Sequence, residues 1–159
     1  MNRIAFAAIA AFSLSACTSS MLTVEQPYAG SQRFTTATVV RAPSSVTIDP
    51  DDLGYTNRRL ETALFSGQSP VFDPGQQLTI RWRYVGFDEG SRVGRWLAPG
   101  VAGGSKIVLE AEFVDQGGRI LSTVRSQAEV GAGLIGGTGK SGIDKAVEEI
   151  ADYAAANFQ

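Results

Sequence analysis

The sequence predicts an α+β fold, a two-layer sandwich with a mainly antiparallel sheet and helices on one face. Three observations lead there. Residues 78–84 (LTIRWRY) alternate strictly between apolar and polar positions, the period of a strand with one buried face. Ile107, Leu109, Ala111 and Phe113 repeat that alternation against Glu110 and Glu112. Ile143, Val147, Ile150, Ala151, Ala154 and Phe158 form one apolar helical stripe, with Lys145, Glu148, Glu149 and Asp152 opposite. A chain of 159 residues with 43% hydrophobic and 19% charged side chains suits one packed core.

The elements follow in order. Met1, Asn2 and Arg3 give a short, positively charged start, and Ile4 to Leu14 is an uncharged, mostly apolar run. As a helix this run spans only ~17 Å, short of the ~30 Å bilayer core, and reads as the apolar part of an export signal. Leu14-Ser15-Ala16-Cys17 resembles the bacterial lipobox, Leu and two small residues before a Cys. The resemblance implies cleavage of residues 1–16 and lipidation of Cys17, the only cysteine. A conventional cut after Ala16 would place Leu14 where a small residue is needed. Two or three acyl chains hold a protein firmly on a membrane. Thr18 stands where an Asp would imply retention in the inner membrane, so the resemblance implies the outer membrane, facing the periplasm.

Residues 18–32, rich in Ser, Thr and Gly, show no periodicity and read with Cys17 as a tether (17–32) with a relaxed reach of ~20 Å. The folded domain is expected over 33–159. Residues 33–41 (RFTTATVVR) are rich in β-branched side chains and read as the first strand. Asp49-Pro50-Asp51-Asp52 places acids and a Pro where a helix begins, and Leu53, Asn57, Leu60 and Leu64 follow at helical spacing, predicting a helix over 51–66. Asp115-Gln116-Gly117-Gly118 is a turn joining the strand at 107 to a partner over 119–130. The amphipathic helix after Ser141 and Gly142 completes the order β-α-β-β-β-α. Twelve of the 18 glycines lie in residues 86–104 and 131–142, two Gly-rich connections.

Composition narrows the chemistry. There is no His, which removes the Ser-His-Asp and Cys-His relays and the His-containing zinc sites. A single Cys excludes an intrachain disulfide. A net charge of -2 and a pI near 5.1 offer no global positive field for nucleic acid. Gly136-Gly137-Thr138-Gly139-Lys140-Ser141 has the look of a phosphate-binding loop, but the Gly required six before the Lys is Leu134. Glu110 and Glu112, two apart on a strand, have a separation of ~7 Å that a glycosidase could use, yet alternating acids are ordinary on an exposed strand. Ser141 and Lys145 are one helical turn apart, and an exposed Lys is protonated and no base. The expectation is a protein that is not an enzyme and needs no cofactor or metal.

Arg81, Arg83, Arg92 and Arg95 fall within fifteen residues, interleaved with Trp82, Tyr84 and Trp96. They either form a basic, aromatic face for an anionic envelope ligand or pair with Asp88, Glu89, Glu110 or Glu112 on a solvated strand. Arg92 and Arg95, set among six glycines, can also organise the 86–104 loop, since a guanidinium bridges several carbonyls at once. With the lipobox in place, residues 84–104 (YVGFDEGSRVGRWLAPGVAGG) resemble the hallmark of a family of bacterial lipoproteins classed as a domain of unknown function. That family is similar in its order of strand, G-S-R-x-x-R segment, Gly-rich stretch, hairpin, second Gly-rich loop and final helix. The chain departs from it at Gly100-Val101-Ala102-Gly103-Gly104, where many members have Gly-x-Gly-x-Gly. The resemblance implies an envelope lipoprotein and transfers no catalytic residue. The expected function is that of a lipid-anchored periplasmic accessory or assembly factor with an envelope protein partner. The alternative is a module for an anionic envelope ligand such as a lipid head group, lipopolysaccharide or a glycan.

Overall fold

The structure, a computed structural model, describes residues 20–67, 69–88, 105–130 and 140–159. A six-stranded sheet in the order β1-β6-β5-β4-β2-β3 carries two helices on one face. The strands are β1 (Ser20–Gln26), β2 (Thr36–Arg41), β3 (Asp73–Pro74), β4 (Leu78–Asp88), β5 (Ser105–Asp115) and β6 (Ile120–Val130). The helices are α1 (Pro50–Phe65) and α2 (Lys140–Phe158). The predicted α+β sandwich is therefore present. From β1 to β4 every pairing is antiparallel, whereas β4–β2 and β2–β3 are parallel, which makes the sheet mixed at one edge. The parallel pairing arises because α1 carries the chain from β2 back to the start of β4.

One expectation is corrected. The segment read as a tether contains β1, paired with β6 from Ser20↔Ala128 to Val24↔Val124, so residues 20–26 belong to the sheet and not to a tether. No signal marked it, because an edge strand with only Ser20 and Leu22 partly covered carries little burial pattern. The strand expected over 33–41 is regular only over Thr36–Arg41, although Phe34 is already buried and donates its N–H to the Phe158 carbonyl at 2.8 Å.

Local chemistry explains the remaining boundaries. The Asp49 carboxylate accepts from the Asp51 N–H at 2.8 Å and Pro50 opens α1, where its missing N–H costs nothing. Gly118, at φ 80°, supplies the left-handed residue of the β5–β6 turn. Between sheet and helices, Trp82, Tyr84, Phe113, Leu60, Leu64, Ile150 and Phe158 are fully buried. Hydrogen bonds pin the layers: Tyr84 Oη and Thr56 Oγ1 are 2.5 Å apart, and Trp82 Nε1 donates to Asn57 Oδ1 at 3.2 Å. On β6 the core-facing positions include Ser122 and Ser126, small enough to let α2 approach. Ser126 donates to Glu149 at 2.6 Å, and Ser122 shares a hydrogen bond with the Tyr153 hydroxyl at 2.8 Å. Among the described residues no buried polar side-chain atom lacks a partner.

Candidate interaction surface

The sheet face opposite the helices holds the charged residues singled out in the sequence. Alternation puts Arg81 and Arg83 of β4, Glu110 and Glu112 of β5 and Arg125 of β6 on this face, and the registers Arg81↔Glu112, Arg83↔Glu110 and Glu110↔Arg125 set opposite charges side by side. Glu110 is the hub. Its Oε1 accepts from Arg83 Nε at 2.7 Å and Nη2 at 2.5 Å, and its Oε2 accepts from Arg125 Nε at 2.8 Å. Arg81 donates to Glu112 through Nε at 2.7 Å and Nη2 at 2.6 Å. Arg125 also reaches Glu25 at 3.3 Å, which ties β1 into the ladder.

Among the described side chains three Arg thus face three Glu. Arg81 and Arg83 are committed to acids in the structure, and Arg92 and Arg95 lie outside the described residues, as does Cys17. Glu110 and Glu112 are the salt-bridge acceptors of this ladder. Sequence reasoning missed Arg125 and the burial of Glu110, whose exposure is only 2%. Neither has a local signal, because both depend on which strands become neighbours. Ser141 and Lys145 both lie in the first turns of α2, and residues 136–139 of the near-miss phosphate loop fall outside the described residues.

A second polar cluster joins the helices. Asp144 of α2 accepts from Arg59 Nε at 2.6 Å and from the Tyr55 hydroxyl at 2.8 Å, both on α1. The bond to Asp144 raises the Tyr55 pKa above its ordinary value and raises that of Arg59 as well. Both are stabilising contacts between elements. Among the described residues no group of His, Cys, Asp and Glu could hold a metal ion, and no helix is long and apolar enough to cross a membrane.

The two rims of the sheet differ from its face. The two-residue β3 covers only Thr36 and Ala37 of β2, leaving Thr38 to Arg41 at the edge. Beside that edge runs an open groove of 510 Å3 between β2 and α1, with Val39, Arg58, Thr62 and Phe65 among its lining residues. At the other rim, among the described residues, β1 pairs only with β6. The large hydrophobic residues exposed among those described are Met21 (50%), Val24 (41%) and Val40 (43%), all on these two edge strands.

Among the described residues, then, the sheet face is charge-paired and the exposed large apolar side chains lie on its two edge strands. No family model matches the sequence, including that of any lipoprotein family it resembles by motif, and no curated protein matches it. Likeness is found in structure. The fold is similar to the PelC dodecamer from Paraburkholderia phytofirmans, with a TM-score of 0.57 at 11% identity over 89% of this chain and 99% of that one. A leucine-to-methionine variant of the same dodecamer gives 0.53 at 12% identity over 85% and 98%.

Proposed function

We propose that this protein is a lipoprotein anchored through Cys17 in the outer membrane, facing the periplasm, and that its domain serves the cell envelope as an accessory or assembly factor built from several copies of the chain. One observation carries the reading: nearly the whole length of a protein that forms dodecamers superposes on this chain, with 99% of it covered. With Cys17 as the anchor, three residues, a span of at most ~10 Å, separate the lipid from Ser20 of β1 and hold the sheet close to its membrane. The registers Ser20↔Ala128, Ser105↔Val130 and Lys106↔Asp88 also put the start of β1 and the ends that lead into both Gly-rich connections at one end of the sheet. An anchor at Cys17 turns that end toward the bilayer.

The anionic-ligand reading draws less support, because the described arginines of the sheet face are matched by glutamates. The test is made on the full chain expressed in a Gram-negative cell. Cys17→Ser is expected to abolish incorporation of radiolabelled fatty acid and to leave unprocessed precursor, while the wild type fractionates with the outer membrane and sediments after mild detergent extraction as a multimer. A wild type released as a soluble monomer overturns the reading.

A further inference from the structure

We propose that copies of this chain join edge to edge, β1 of one copy pairing antiparallel with the open edge of β2 of the next, Met21 opposite Val40. The inference rests on the self-assembly reading above and specifies its interface.

Exposed strand edges invite pairing, and proteins that remain single protect them with Lys, Pro or a covering segment. Among the described residues, β3 covers β2 only at Thr36 and Ala37, and Ser20 to Val24 of β1 and Thr38 to Arg41 of β2 lack that protection. β1 (SMLTVEQ) has one charge, Glu25, and β2 (TATVVR) has one, Arg41 at its end, and neither contains Lys or Pro. The apolar side chains that the described surface exposes most, Met21, Val24 and Val40, sit on these two strands and nowhere else. Two different sticky edges on one molecule make a head-to-tail contact, which closes into a ring when the rotation allows.

The direction of pairing follows from the topology. β1 is antiparallel to β6, β6 to β5 and β5 to β4, and β4 is parallel to β2, so β1 runs opposite to β2 within one chain. A ring in which the sheet continues from copy to copy keeps each strand's direction, so β1 of one copy meets β2 of the next antiparallel.

The backbone agrees. The Thr35 and Ala37 carbonyls accept from Asp73 and Gly75 on the outer side of β2, so by alternation Val39 and Arg41 also turn their N–H and C=O groups outward. The Trp82 carbonyl accepts from the Ala42 N–H, which turns Arg81 and Arg83 toward β5. Carried through Arg83↔Glu110, Leu109↔Ser126 and Arg125↔Thr23, the alternation leaves Ser20 and Leu22 with their backbone groups outward.

An antiparallel register with Leu22 opposite Val39 and Ser20 opposite Arg41 satisfies these groups. Between them it sets Met21 directly opposite Val40, both on the face away from the helices. Leu22 then lies over the groove beside Val39 and Phe65. The bulge between Val24 and Gln26 bends β1 at about the point where β3 occupies β2.

Met21 and Val40 form a non-hydrogen-bonded pair in this register, with Cα atoms ~4.5 Å apart, within disulfide range. Two full-length chains with different epitope tags, one Met21→Cys and the other Val40→Cys, are co-expressed and oxidised in isolated membranes. A mixed disulfide joining the two tags is expected, with none in the wild type or in either variant alone, and a chain bearing both substitutions should give a ladder of multimers. Val40→Lys should raise the dissociation constant of the assembly at least tenfold, while thermal unfolding shows the subunit intact. A disulfide dimer from Met21→Cys alone overturns the proposal in favour of a symmetric β1–β1 contact. No mixed disulfide while the wild type sediments as a multimer overturns this interface and leaves the self-assembly reading standing. A monomeric wild type overturns both.

Discussion

Replacing Glu110 by Ala tests whether the charged ladder is structure or surface decoration. Both carboxylate oxygens are used, Oε1 by two Arg83 nitrogens and Oε2 by Arg125, and the residue is 2% exposed. Breaking a buried, hydrogen-bonded ion pair costs about 3–5 kcal/mol when the surviving charge stays buried. Here the two guanidinium groups keep 40% and 38% exposure, so water takes up part of the lost bonding and the cost falls to the lower end, about 3 kcal/mol.

Glu112 is a built-in comparison. It is more exposed and its short contacts come from Arg81 alone, so Glu112→Ala should cost about 1 kcal/mol. Urea unfolding of the purified full chain measures both. The midpoint of Glu110→Ala should fall well below that of Glu112→Ala with an unchanged slope, and added salt should narrow the gap between Glu112→Ala and wild type more than that of Glu110→Ala. Equal midpoints for the two variants refute the reasoning. They would mean that the burial of Glu110 stores no more energy than an ordinary solvated pair.

Two further predictions concern the core. Burial pushes the Tyr84 pKa up to about 12 against the opposing hydrogen bond with Thr56, so the folded state favours the neutral phenol. Stability from this group is complete below pH 10 and is lost as pH rises from about 10 to about 12, roughly 1.4 kcal/mol per pH unit; Tyr84→Phe should flatten that part of a pH–stability curve. Phe158, one residue from the end of the chain, stacks on Tyr28 at 4.5 Å and on Phe113 at 4.6 Å and is fully buried. Phe158→Ala should lower unfolding free energy by about 3–5 kcal/mol, and a loss under 1 kcal/mol would show that the end of α2 does not pack as described.

The sequence by itself determined the helices, the central strands and the class of fold. Leu78 to Tyr84 announces its buried face by period 2, and Ile143 to Phe158 announces its own by a helical stripe, because each pattern is written within a few consecutive residues. Asp49 and Pro50 mark a helix start for the same local reason. Strand order and the identity of each charge's partner were decided only in the tertiary structure. β1 is held by β6, a hundred residues away, and its own side chains are mostly in water, so nothing in SMLTVEQ distinguishes a sheet edge from a linker. From the sequence the arginines at 81 and 83 read as ion-pair donors on a solvated strand, with a ligand-binding patch as the alternative. Antiparallel registry settled their partners by placing Glu110 between Arg83 and Arg125. The apolar edges are of the same kind: Met21 and Val40 are unremarkable residues in the chain, and only the topology sets them on opposite rims of one sheet, where each leaves backbone hydrogen-bonding groups beside it to be satisfied.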